Sequence, residues 1–134
     1  MSIFSALFGC DKKDSHFVSE KAFKKNLANQ VAMMPETLAQ LRKHGVTEEM
    51  ERDLDFFFYT NEERKASTLA ETLTNISASV EFGVSAHDPK VFVVQGCSKG
   101  MVMTEAVVAE WVRQMVQLGY EHDCDFDGWG TSVD

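Results

Sequence analysis

Cysteine is scarce in this sequence, and its spacing excludes two common classes of small protein. The 134 residues contain three cysteines, Cys10, Cys97 and Cys124. Their odd number and the absence of a CxxC pair argue against a disulfide framework and against a zinc site. We therefore expect reduced thiols, which are typical of a cytoplasmic protein.

Positive charge is also in short supply. Lys and Arg number 13 against 21 Asp and Glu, which gives a formal net charge of -8 at pH 7. Binding to nucleic acid depends on clustered Lys and Arg, so the acidic balance argues against direct contact with nucleic acid. The basic surface of another protein is the better electrostatic match.

The chain lacks a long apolar run and the features of a secretory leader. The apolar part of residues 1–10 is short, no basic segment precedes it, and charged residues follow at once. We expect no membrane span. One face of a helix would collect four apolar side chains, Ile3, Phe4, Leu7 and Phe8. This segment is either a docking peptide or interfacial foot, or a frayed terminus.

The sequence does have the composition of an ordinary globular domain. Hydrophobic residues make up 44% of the chain and charged residues 25%, and this length is enough for one domain with a real core. We see no internal repeat or low-complexity tract. We expect an N-terminal helical extension over residues 1–45 and a single domain over residues 46–134.

Hydrophobic spacing and end signals predict four helices. They cover residues 15–30, 35–44, 61–75 and 104–118. In the second helix, Pro35 suits the first turn and Gly45 follows the last. A Thr-x-x-Glu capping box predicts that the third begins at Asn61, and Gly119 is expected to end the fourth.

Four strands are predicted from alternation and from β-branched and aromatic content. They cover residues 53–59, 78–86, 91–95 and 121–127, with a glycine-flanked loop at 96–100. In the second strand, alternation predicts one buried face made of Val80, Phe82 and Val84. The order strand, helix, strand, strand, helix, strand is that of an α+β, ferredoxin-like βαββαβ sandwich. Two helices would then cover one face of a four-stranded antiparallel sheet, with the closing strand on an edge.

The closing strand carries acids at every second position. Asp123, Asp125 and Asp127 are predicted to share one face, followed by a tight turn over Asp127–Gly130 that sets the Trp129 ring beside the strand. The acids fit either a solvated edge that discourages aggregation or part of a cation site. They lack the spacing of an EF-hand loop.

Catalytic patterns are weak. Residues 96–100 lack the spacing of a phosphate-binding loop. Cys97 is a possible nucleophile beside Lys99, with His87 or His122 as base, but the sequence does not bring these groups together. A structural loop cysteine is the simpler interpretation.

An interaction surface is the stronger prediction. Asp55, Phe57 and Tyr59 alternate onto one face of their strand, and aromatics ringed by acids are typical of interfaces. The predicted partner-binding residues are Asp55, Phe57, Tyr59, Glu81, Asp123, Asp125, Asp127 and Trp129.

The end of the chain, Phe126-Asp127-Gly128-Trp129-Gly130-Thr131, resembles the YDGWGT-type ending of the family of regulators of ribonuclease E activity B (RraB). Other segments agree in order and character. They are Leu38-x-x-Leu41 to Gly45, Asp55 to Tyr59, and Ala66 to Leu73.

The resemblance implies a ferredoxin-like fold and a cytoplasmic, non-enzymatic regulator that uses neither a cofactor nor a metal. Its partner would be ribonuclease E, chiefly the non-catalytic C-terminal region, and binding would inhibit or redirect messenger RNA turnover. The alternative is a ferredoxin-like domain that binds a small molecule or a metal on the sheet face that the helices leave uncovered. The sequence leaves the oligomeric state open.

Overall fold

The computed structural model describes residues 16–132, which form an antiparallel sheet with helices packed on one side. In chain order the elements are α1 (Glu20–Lys43), β1 (Glu51–Arg52), β2 (Asp55–Thr60), α2 (Glu63–Thr74), β3 (Ser77–Val84), β4 (Phe92–Ser98), β5 (Met101–Val102), α3 (Glu105–Glu121) and β6 (Asp125–Gly130). The main sheet has the order β3-β4-β2-β6, and β1 and β5 pair in a separate ribbon. The first and third core strands are central and the closing strand lies on an edge, so the predicted ferredoxin-like α+β fold is confirmed.

The core lies between the helices and one face of this sheet. Along β2, Phe56 and Phe58 are fully buried while Asp55 and Phe57 are exposed, which is the period-two alternation of a strand with one covered face. The buried residues of α2 and α3 join the same cluster. They include Ala66, Leu69, Leu73, Val108, Val112 and Met115.

The two helices predicted before Gly45 are one continuous helix, α1, with Pro35 in its interior. A proline inside a helix removes one backbone hydrogen bond and strains the preceding turn. Here Met34 and Leu38 are buried on either side of it, and burial of those side chains offsets the loss. The predicted end is correct: Gly45 has φ 93° and the Val46 N–H donates to Leu41 O at 3.0 Å.

The predicted capping box at Asn61 is wrong. α2 begins at Glu63, and its N-cap residue Glu62 makes no side-chain cap hydrogen bond. The Thr60 hydroxyl instead donates to the Asp123 carbonyl at 2.9 Å. A tertiary hydrogen bond has therefore replaced the local one that the pattern favours.

Two glycines at which the sequence predicted an element to end lie instead inside a helix and a strand. α3 continues through Gly119, where a Cβ would lie 2.8 Å from both the Phe58 ring and the Cys124 carbonyl. The predicted loop at 96–100 is wrong in its first half, because β4 runs to Ser98 and a Cβ on Gly96 would lie 2.0 Å from Ser79 O. Both positions need glycine for close packing between segments.

The predicted buried face of β3 is largely exposed. Val80 is half-buried, but Phe82 is 41% and Val84 58% exposed. α2 leaves the end of β2 and returns to the start of β3 at the opposite end of the sheet. It therefore covers Ser77 and leaves the far end of β3 uncovered.

Candidate protein-interaction face

The sheet face opposite the helices brings together the predicted residues of β2 and β3. In the strand register, Phe57 lies beside Gln95 of β4, and Gln95 lies beside Glu81 of β3. Tyr59 follows Phe57 on the same face, and Phe57 is 38% exposed. We call this surface, with Asp55 at one end, the open face.

A shallow groove of about 390 Å³ runs over the open face towards β3. Phe57, Tyr59 and Gln95 lie along it, and Gln95 donates a 3.2 Å hydrogen bond to the Glu81 carboxylate. The sequence prediction missed Gln95. The strand order places β4 between β2 and β3, and alternation along β4 would then have assigned Gln95 to this face.

The main sheet carries charge of one sign only. Its four strands contain no Lys or Arg. Their charged residues are Asp55, Glu81, Asp125 and Asp127. The open face is therefore an apolar and aromatic surface bordered by carboxylates.

β6 does not follow the predicted alternation. Phe126 pairs with Phe58 and Gly128 with Phe57, so Asp127 is an extra residue in a β-bulge. Beyond the bulge Trp129 pairs with Phe56, and its half-buried ring packs against the core. The predicted tight turn over Asp127–Gly130 is wrong, because these residues form a bulged strand.

Asp125 lies opposite Tyr59, at the border between the open face and α1. One of its carboxylate oxygens accepts a 3.4 Å hydrogen bond from the Asn26 amide of α1. Burial and the nearby charge of Asp127 raise the pKa of Asp125. Asp127 is exposed.

Asp123 is not on a strand, so the prediction that it shares a face with Asp125 and Asp127 is wrong. It follows α3 in a left-handed conformation, φ 57°, and the Cys124 and Asp123 N–H groups close the helix end on Gly119 O and Tyr120 O. Its side chain accepts hydrogen bonds from Lys65 and from the segment before α1. The distances are 2.6 Å to Lys65 Nζ, 2.7 Å to Phe17 N and 2.8 Å to Val18 N.

The groups considered for catalysis do not meet. Cys97 lies 3.2 Å from the Ser79 hydroxyl, whereas His122 contacts Thr72 and the Leu118 carbonyl on the helical side. His87 follows the last residue of β3, and Cys97 lies at the opposite end of the sheet. Within residues 16–132, no three His, Cys, Asp or Glu side chains are placed to hold a metal ion, and none of the helices there has both the length and the apolar character to cross a membrane.

Comparison with known proteins assigns the chain to one family. The search of curated proteins finds no match. The model of one protein family, described as regulator of ribonuclease activity B (RraB), matches residues 32–131, from within α1 to the residue after β6. That match covers most of the chain, which therefore belongs to the RraB family of regulators of ribonuclease activity.

Proposed function

We propose that this protein is a non-enzymatic, cytoplasmic regulator that binds a ribonuclease or its scaffold through the open face. The proposal rests on an exposed Phe57 and a half-buried Tyr59 that lie side by side among carboxylates, on a sheet whose strands contain no Lys or Arg. Membership of the RraB family supports a ribonuclease as the target. The resemblance described above points further, to the non-catalytic C-terminal region of ribonuclease E.

The two kinds of residue on this face have different roles in the proposal. Phe57 and Tyr59 supply apolar area, since aromatic side chains at the centre of an interface contribute most to affinity. Asp55 and Glu81 attract a basic segment and set its position, because charges at the rim act mainly on association rate and specificity. Binding should therefore weaken as the salt concentration rises.

The other predicted binding residues lie in two settings. Asp125 and Asp127 stand at the β6 border of the open face, where they extend the acidic rim. Asp123 and Trp129 face the helical layer and its connections. A partner role for these last two stays a prediction, and a partner that contacts them must reach around the β6 edge.

The test is a titration with the C-terminal region of ribonuclease E. We expect Phe57→Ala to weaken binding by about tenfold or more, as for a central aromatic. The double variant Asp55→Asn/Glu81→Gln should show an affinity that depends less on salt concentration. Glu71→Gln is the matched control, since Glu71 is exposed on α2 in the opposite layer.

Two results would count against the proposal. One is an affinity that none of the open-face substitutions changes, and the other is an equal loss from the Glu71→Gln control. Cleavage of RNA by the purified chain alone would contradict the non-enzymatic part.

A further inference from the structure

The two edges of the main sheet are not equivalent. α1 lies along the edge of β6, where the Asn26 amide donates to Phe126 O at 2.8 Å and the Gln30 amide to Asp127 O at 3.5 Å. The other edge is β3, which pairs only with β4 among the described residues. A free edge is a template for another strand.

The hydrogen-bond pattern shows which groups of β3 are free to pair. Ser85 N donates to Val91 O at 2.8 Å, across β3 and β4. Backbone groups alternate in direction along an antiparallel strand, so Glu81 and Gly83 also face β4. The N–H and C=O groups of Phe82 and Val84 therefore point away from the sheet.

The two faces of the β3 edge differ in chemistry. On the helical side, Phe82 is 41% and Val84 58% exposed. On the open face, Glu81 borders the groove, and an added Cβ on Gly83 would meet no atom within 4 Å. β3 contains neither Pro nor Lys, two residues that protect natural edges.

We propose that β3 receives an extended segment of the partner as a fifth strand, and that this segment alternates basic and apolar residues. Its apolar side chains lie over Phe82 and Val84. Its basic side chains lie on the open face, where a long aliphatic stem fits the groove beside Phe57 and Tyr59 and the charged end meets Glu81. This inference rests on the proposed function and adds how the partner is held.

Charge favours this occupant over a second copy of the chain. Two copies would each bring a net charge of -8, and like charges repel. The same negative charge attracts a basic segment. Main-chain hydrogen bonds would provide affinity, and the alternating side chains would provide specificity, as in other cases of strand addition.

The first test removes one outward N–H group. Val84→Pro and Val84→Ala both remove the branched valine side chain, but only proline loses the N–H. Proline is tolerated on an edge strand where its nitrogen faces solvent. With the C-terminal region of ribonuclease E, we expect Val84→Pro to weaken binding at least tenfold more than Val84→Ala, at equal thermal stability. Equal affinities of the two variants would overturn the inference.

A second test needs neither a ribonuclease nor a variant that folds. Two labelled octapeptides are titrated with the wild-type chain, one alternating Lys and Val and the other with four Lys before four Val. We expect the alternating peptide to bind at least tenfold more tightly. This peptide can be N-methylated at its odd-numbered residues or at its even-numbered residues, and we expect only one of the two methylated forms to lose binding. Equal binding of both peptides would overturn the inference.

The two tests separate the possible failures. If the ribonuclease fragment does not bind the wild-type chain, the proposed function fails, and the peptides still decide the role of β3. A concentration-dependent dimer that Val84→Pro disrupts would assign the edge to a second copy and overturn the inference.

Discussion

The ammonium group of Lys65 lies 2.6 Å from a carboxylate oxygen of Asp123, and the two side chains are only 10% and 14% exposed. The same carboxylate accepts the N–H groups of Phe17 and Val18. Asp123 therefore joins α2, the turn after α3 and the segment before α1. The sequence assigned Asp123 to a solvated strand, but in the structure it is a junction, a residue whose side chain connects segments that are distant in sequence.

We expect Asp123→Ala to lower the free energy of unfolding by about 3 kcal/mol, because it breaks a mostly buried ion pair and leaves two N–H groups short of an acceptor. Alanine also tolerates a positive φ poorly. Urea denaturation at neutral pH measures the loss. Asp127→Ala is the control and should cost less than about 0.5 kcal/mol, since Asp127 is exposed. A loss below about 1 kcal/mol for Asp123→Ala would contradict the junction role.

The contribution of Asp123 should disappear in acid. Burial alone would raise its pKa, but hydrogen bonds from Lys65, Phe17 and Val18 outweigh burial and the pKa is lowered. For a carboxyl with a depressed folded-state pKa, the linked stability is present above the unfolded pKa and is lost as pH falls through the folded value. The difference in unfolding free energy between wild type and Asp123→Asn should therefore shrink below about pH 4. A difference that stays constant down to about pH 2 would argue against this.

Asp125 should show the opposite dependence on pH. Burial and the charge of Asp127 raise its pKa, so the folded state favours the protonated form and stability falls as pH rises through the raised value. We expect Asp125→Asn to stabilise the protein at pH 7 by a few tenths of a kcal/mol, with no difference near pH 3. Thermal unfolding of wild type and Asp125→Asn across pH measures this. A variant less stable than wild type at pH 7 would refute it.

Two glycines of the main sheet provide a matched pair. A Cβ at Gly96 would lie 2.0 Å from the backbone oxygen of Ser79, whereas a Cβ at Gly83 would have no atom within 4 Å. We expect Gly96→Ala to cost at least about 2 kcal/mol through overpacking. Gly83→Ala should be neutral or stabilising by up to about 0.5 kcal/mol. Denaturant titrations of both variants test the prediction, and equal effects would show that β3 shifts freely away from β4.

Trp129 should contribute to stability in proportion to its partial burial. Its half-buried ring packs against the core on the Phe56 side of the sheet. We expect Trp129→Ala to lower the unfolding free energy by about 2 to 3 kcal/mol, somewhat less than for a fully buried ring. Trp129→Phe should retain most of the stability. A loss well under 1 kcal/mol for Trp129→Ala would instead leave the ring available for recognition.

Local patterns were reliable where neighbouring residues decide the conformation. The Gly45 end of α1 and the Thr104 start of α3 follow from capping chemistry that spans a few residues. Alternation along β2 correctly placed Asp55, Phe57 and Tyr59 on one face, and the structure shows that the opposite face, with Phe56 and Phe58, is the buried one. These signals are local because they depend on backbone groups or side chains one to four positions apart.

The same patterns failed where a distant segment intervenes. Burial of Met34 and Leu38 keeps α1 continuous through Pro35, and the Phe58 ring explains Gly119 inside a helix. One inserted residue, Asp127, moves each later residue of β6 to the opposite face of the sheet, so Trp129 points to the core. The period of a strand cannot reveal a bulge, because its position depends on the partner strand.

The sequence by itself determined the order of the core elements, the ferredoxin-like sheet and the family, since hydrophobic period, caps and a short closing motif are properties of contiguous residues. Only the tertiary structure decided that Asp123 connects three segments, that α1 covers the β6 edge and that no described segment pairs with the outer edge of β3. These depend on which segments meet across the fold. Hydrogen bonds such as those of Lys65 with Asp123 and Asn26 with Phe126 join residues 58 and 100 positions apart, beyond the reach of any local pattern.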